Sequence, residues 1–239
     1  RLPNPVQQHL HRTPCAAWFG SYVIAAIVVA AAVPLPAAEA TFIQAAASVQ
    51  PKMVKIYGAG GLKGLEAYQS GFLISPQGHV LTAWSYVLDT DYITVTLDDG
   101  RRFQGQLVGA DPRREIAVLK IEADDLPHFR LSDAVELDVG DRVLAFSNLF
   151  GVATGDEDAS VLHGCVSAKT RLEARRGAFE TPYDGPIYVV DAMTNNPGSA
   201  GGALTDRQGN LVGILGKEMR NALNNTWLNY VIPAGELIT

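Results

Sequence analysis

Residues 196–204 read NPGSAGGAL. Glycines at 198, 201 and 202 around small residues make a tight turn whose backbone N–H groups can converge. Such a turn can form an oxyanion hole, the paired donors that stabilise a tetrahedral intermediate. Gly-rich turns are mostly structural, so this one takes its meaning from its company. Outward from it, residues 71–87 read GFLISPQGHVLTAWSYV, residues 109–121 read GADPRREIAVLKI and residues 140–151 read GDRVLAFSNLFG. Each couples an apolar or alternating run to a turn rich in Gly, Pro or Asp, which is the pattern of β-strands.

The same pattern fills the chain from residue 53 onward. Strands are expected at 53–57, 71–75, 79–83, 92–97, 102–108, 116–121, 142–146, 161–168, 187–190 and 230–232, with a hairpin from Leu204 to Leu215 turning at 206–210. Residues 41–50 read as a short helix ended by Pro51. Residues 151–160 (GVATGDEDAS) and 172–185 read as surface loops. About a dozen short strands with little helix indicate an all-β barrel or sandwich.

Composition agrees. The 239 residues are 47% hydrophobic and 18% charged, enough apolar material for a core, which excludes a disordered chain. The net charge of −6 and the lack of a basic cluster exclude nucleic acid as the main partner. Cys15 and Cys165 cannot build a disulfide framework, and the five His show no ligand spacing, so no metal or other cofactor is expected. Residues 1–40 stand apart. Arg1 and Arg12 precede an uncharged run at 15–33, followed by Pro34, Pro36 and an Ala38-Glu39-Ala40 site. This reads as a secretory signal peptide, or as a signal anchor spanning the bilayer through 15–33. Either way, residues 41–239 form the exported part.

On these motifs, in this order, the chain resembles the HtrA (Deg) family of trypsin-fold serine proteases from about Val54 to Leu237. The resemblance implies an all-β, trypsin-like double six-stranded β-barrel, the first barrel at about 53–140 and the second at about 141–235, with the active site between them. In the family the first barrel supplies the catalytic His and Asp, and the second the nucleophilic Ser and the oxyanion turn. It implies an extracytoplasmic, periplasmic location and unfolded or extended polypeptide as partner. It also implies a homotrimer built through N-terminal residues such as 41–50. Relatives commonly carry PDZ domains after the position where this chain reaches Glu236.

All three triad positions depart from the family. Its T-N-x-H-V pattern stands here as Thr82-Ala83-Trp84-Ser85-Tyr86, so Ser85 holds the place of the His. The Asp before I-A-V-L-K is Glu115, and the nucleophile of G-N-S-G-G is Ala200. Residues 191–198 are one residue longer than the family pattern. A serine protease needs a nucleophilic oxygen, a base for its proton and an orienter for that base. Ala200 offers a methyl group, Ser85 is no base near neutral pH, and Glu115 has no imidazole to orient. Gly198, Ser199 and Ala200 would form the oxyanion turn, with Ser199 in the family's Asn position. His79, His128 and His163 read as strand or connecting residues without partners. Trp84 and Tyr86 read equally as core packing or as ligand contacts.

Three functions follow. The first is an exported, proteolytically inactive HtrA-like protein that binds polypeptide as a chaperone-like or scaffold module. Relatives pair extended peptides with the strand at 210–215, which nominates Leu215, Gly216 and Lys217. The second is an active serine endopeptidase of protein quality control, with a rewired or engineered site. The third is a purely structural domain.

Overall fold

The computed structural model describes residues 41–61, 65–176, 179–221 and 226–238. The expected signal or anchor at 1–40 lies outside the described residues. Among the described residues, no helix is long and apolar enough to cross a membrane.

The helix α1 (Phe42–Val49) opens on a capping box. The Gln44 N–H donates to Thr41 Oγ1 at 3.3 Å, and the Thr41 N–H donates to Gln44 Oε1 at 2.9 Å. Such a cap contributes about 1 kcal/mol. Pro51 ends the helix in a 3₁₀ turn, and buried Gln50 exchanges two hydrogen bonds with the Ala159 backbone.

Strands follow as Met53–Tyr57 (β1), Tyr68–Leu73 (β2), His79–Ala83 (β3), Ile93–Leu97 (β4), Arg102–Asp111 (β5) and Ile116–Lys120 (β6). They close in the order β1-β2-β3-β6-β5-β4. Val54, Ile56, Val80, Val95 and Leu119 fill the inside. Next come Arg142–Ser147 (β7), Ser160–Arg171 (β8), Ala174–Arg176 (β9), Phe179–Glu180 (β10), Pro186–Val190 (β11), Ala203–Asp206 (β12), Leu211–Leu215 (β13), Met219–Asn221 (β14), Trp227–Leu228 (β15) and Tyr230–Pro233 (β16). A second closed barrel runs β11-β16-β13-β12-β7-β8. A shared cluster joins the barrels, with Phe72 and Leu81 of the first against Leu144, Phe146, Ile214 and Tyr230 of the second.

The double six-stranded barrel is thus the architecture, with one difference of detail. The segment 172–185, expected as a loop, carries β9 and β10, which join β14 and β15 in a four-stranded sheet. Strands of two or three residues are too short for alternation to mark them. The acidic loop at 151–160 lies at the surface, as expected, and is anchored there. Buried Lys55 donates to the Gly155 carbonyl at 2.8 Å, and Tyr57 donates to the Ala153 carbonyl at 2.6 Å.

Candidate functional site

Three segments bring Ser85, Glu115 and Ala200 to the region between the barrels. The first is the end of β3. Beyond Ala83 the chain leaves the sheet, and Ser85 caps the 3₁₀ turn Tyr86–Leu88 by accepting the Val87 N–H at 3.1 Å. Its hydroxyl donates to Gln69 Oε1. Gln69 is buried on β2, and its Nε2 donates to Thr82 Oγ1 at 2.7 Å and to the Ala83 carbonyl at 2.9 Å. The Ala83 carbonyl can only accept, so it fixes which end of the carboxamide faces it. Both the proton and a lone pair of Ser85 are therefore committed inside the fold. The Gln69 amide stands against the residue that the resemblance sets in the place of the base.

The second is the turn from β5 to β6. Asp111 accepts the Arg113 and Arg114 N–H groups and binds the Arg114 guanidinium at 2.9 Å. Burial pushes the Asp111 carboxyl up, but these bonds and the Arg114 charge together outweigh it and hold the carboxyl below the usual range. Glu115 follows in the left-handed region at φ 58°, a position that costs a non-glycine about 1 kcal/mol. Its carbonyl accepts the Trp84 N–H at 2.8 Å. Its carboxylate is buried, 2.9 Å from Lys217 Nζ, and accepts from the Tyr230 hydroxyl at 3.3 Å. Burial first, and then the Glu115 charge, push the Tyr230 phenol well above its ordinary pKa. Glu115 thus has a cation and a phenol as partners, with Ser85 bound elsewhere.

The third is the turn after residue 196. Gly198 and Gly201 take φ of 85° and 82°. A Cβ on Gly198 would lie 2.1 Å from the Asn148 carbonyl, and one on Gly201 would lie 2.3 Å from the Ser70 carbonyl. Only glycine fits either place. Ser70 on β2 fastens this turn to the first barrel. Its hydroxyl donates to the Gly198 carbonyl at 2.6 Å and accepts the Asn148 N–H at 2.7 Å, while its N–H donates to the Ala200 carbonyl at 3.0 Å. The Pro197 carbonyl accepts the Phe150 N–H at 2.8 Å. The Ser199 N–H is spent on the Asn196 carbonyl at 3.0 Å. Among the described residues, the Gly198 and Ala200 N–H groups have no protein acceptor. The turn therefore keeps two free donors beside a methyl group. Ser199 is buried, and its hydroxyl has no partner among the described residues.

Ser85, Gly198, Ala200 and Lys217 share a cavity of about 50 Å³. Tyr68, Tyr86, Glu66 and Glu218 border it. Burial, then Glu66 and Glu218, raise the Tyr68 pKa. A far larger cavity, about 980 Å³, opens on the first-barrel side of Ser85. Trp84 packs on the first-barrel core and lines this cavity.

The strand nominated for peptide pairing is largely occupied. The Leu215 N–H donates to Gly202, the Gly216 N–H to the Tyr230 carbonyl, and the Lys217 N–H to the Tyr230 hydroxyl. A Cβ on Gly216 would sit 2.2 Å from the Tyr230 ring. A bulky residue there would disturb the fold before it blocked a ligand. Away from the site, His79 bonds Ser75 at 2.7 Å, His163 packs on Phe42 and His128 contacts the Leu126 carbonyl. Among the described residues, no cluster of His, Cys, Asp or Glu is arranged to hold a metal ion. Gln69, Ser70, Lys217 and Tyr230 carry the site's bonding, yet only Lys217 drew notice in the sequence, and for another reason. Their contacts reach across the chain, and no local motif announces them.

Residues 69–214 match the family model of the trypsin-like peptidase domain. A "probable periplasmic serine endoprotease DegP-like" protein of Pseudomonas putida (strain GB-1) is 38% identical over 165 residues, 69% of this chain and 32% of its own length. Its namesake in Chlamydia pneumoniae is 34% identical over 145 residues, 61% of this chain and 28% of its own. The chain spans about a third of the length of these curated relatives. Among solved structures, the HtrA-type protease AlgW with tripeptide aligns with TM-score 0.67 and 30% identity, covering 82% of this chain and 61% of that one. The MamO protease domain from Magnetospirillum magneticum aligns with TM-score 0.64 and 26% identity, covering 80% and 96%.

Proposed function

From the premise that the chain belongs to the trypsin-like peptidase family, in its HtrA branch, we propose an exported domain that no longer cleaves peptide bonds and binds extended polypeptide. The supporting observation is chemical. Position 200 has no side-chain oxygen, the residue in the place of the base is fastened to Gln69, and the carboxylate is fastened to Lys217 and Tyr230. An oxyanion turn alone leaves ~10³–10⁴-fold acceleration over water, negligible beside a working protease. The turn still offers the Gly198 and Ala200 donors to a peptide carbonyl.

The printed names of the relatives support the rest of the reading: a periplasmic address and polypeptide as partner. A homotrimer, a membrane anchor at 15–33 and a chaperone-like or scaffold role complete the proposal. Those same names favour a second reading, an active endoprotease. It requires a base, and Lys217 is the cation that shares the small cavity with Ser85 and Ala200.

Two measurements decide. Incubation with a fluorophosphonate probe and with unfolded casein is expected to leave the protein unlabelled and the casein intact. Stoichiometric labelling of any serine would return the reading to an active protease. Calorimetry with unfolded casein is expected to show saturable binding; heats no larger than dilution would leave a structural domain.

A further inference from the structure

A cavity of about 980 Å³ meets an unpaired strand edge, and the two together describe a binding surface. The strand β5 is ten residues long. On one side β4 covers it only from Arg102, opposite Thr96, to Gly105, opposite Ile93. From Gln106 to Asp111 it pairs with β6 alone, and the other edge has no strand beside it among the described residues. Residues 106–110 (QLVGA) are exposed throughout, with Leu107 at 43% and Val108 at 55%. Proteins usually defend such edges with Lys, Pro, inward charge or a bulge. This stretch carries no charge and no proline, and its one defence is the bulge between Leu107 and Gly109.

Gln106 and Leu107, at the start of the free edge, line the 980 Å³ cavity, whose other sides include Trp84, Leu88 and Ile93. That volume falls in the range of ligand sites, about 300–1,000 Å³. Asp89 and Asp91 stand exposed among its lining residues, and neither makes an ion pair among the described residues. The lining cation, Lys217, is neutralised by Glu115 at 2.9 Å. The surface therefore combines backbone donors and acceptors, an apolar floor and net negative charge.

We propose that the Gln106–Ala110 edge of β5 and the adjoining cavity form a second docking site, which takes an extended, basic polypeptide segment as an added strand. Main-chain hydrogen bonds would supply affinity, apolar side chains on one face would enter the cavity, and Lys or Arg would meet Asp89 and Asp91. A second copy of this chain fits less well, because edge-to-edge pairing would bring two acid-lined cavities together. The site rests on the reading of the domain as a polypeptide binder and centres on β5, with Lys217 at its margin.

Fluorescence anisotropy of a labelled nine-residue peptide, alternating Val and Lys, tests this against the full chain. Saturable binding is expected, about tenfold weaker for the Val/Glu peptide and for a Val/Lys peptide N-methylated at alternate amides. Val108→Lys and Val108→Glu should both weaken binding about tenfold with unchanged circular dichroism, because a charge of either sign opposes burial of the edge. Asp89→Asn with Asp91→Asn should weaken it and flatten its salt dependence. Ala200→Gln, which fills the small cavity, should weaken it less than the Val108 variants do.

Equal binding of the N-methylated peptide would overturn strand addition. Equal binding of the acidic peptide would overturn the charge argument. Loss with Ala200→Gln but not with the Val108 variants would move the peptide to the former cleft, and would overturn this site while sparing the proposed function. A dimer that Val108→Lys dissociates would make the occupant a second copy and overturn the proposal.

Discussion

Gln69 decides what can be restored at the site. Its carboxamide makes three hydrogen bonds, to Thr82, Ala83 and Ser85, and it is buried. Reinstalling the triad residues by name is therefore not enough. In Ser85→His with Ala200→Ser, the imidazole meets an amide already satisfied on its other side, and Glu115 remains with Lys217. That double variant is expected to stay unlabelled by fluorophosphonate. Adding Gln69→Gly vacates the space, and the triple variant should label slowly. Without an oriented carboxylate its rate should lie about 10⁴-fold below an intact triad. Labelling of the double variant at the triple variant's rate would mean that the Gln69 amide moves aside at little cost. Ser85, Glu115 and Ala200 were nominated from the sequence, because each sits in a motif of fixed spacing. Gln69 was not, because its bond to Ser85 depends on β2 lying beside β3.

At the scale of elements, β16 closes the second barrel and also supplies the phenol that joins the carboxylate to the edge of β13. The Tyr230 hydroxyl donates to Glu115, accepts the Lys217 N–H at 3.1 Å and lies 3.5 Å from Met219 Sδ. Its folded pKa lies well above the ordinary value of about 10, so the native state holds this proton more tightly than the unfolded chain. The resulting stability is whole below pH ~10 and is lost as pH rises above it. Burial raises Tyr183 in the same direction, so it contributes to the same alkaline loss. Urea unfolding from pH 7 to 11 checks this. Tyr230→Phe should cost about 1–3 kcal/mol at neutral pH, by leaving the Lys217 N–H unpaired, and should flatten the alkaline decline. An unchanged decline would place the responsible proton elsewhere. The long strands were legible as alternation, as in Ile93–Leu97. The pairs β9–β10 and β14–β15 were not, because two or three residues make no period.

For the whole molecule, the question is how two barrels come to hold one turn in shape. Two devices join them. One is the common cluster in which Phe72 and Leu81 meet Phe146, Ile214 and Tyr230. The other is a set of hydrogen bonds from the first two strands: Lys55 and Tyr57 to the acidic loop, and Ser70 to the turn at Gly198. Burial pulls the Lys55 ammonium down in pKa, and Asp98, Glu157, Asp158 and Asp156 push it back up. A shared core predicts one cooperative unfolding transition for both barrels. The polar seam predicts something more local. Ser70→Ala deletes the donor to the Gly198 carbonyl and the acceptor of the Asn148 N–H, both held in buried contacts. The cost should be about 2–4 kcal/mol in urea unfolding. Amide exchange at Gly198 and Ala200 should quicken beyond what that global loss explains, because the turn loses its fastening to β2. Exchange that rises only with global instability would mean that the second barrel shapes the turn unaided. In that case the donors facing any bound polypeptide would be set by Asn196–Gly202 alone, and Ser70 would serve only to hold the barrels together.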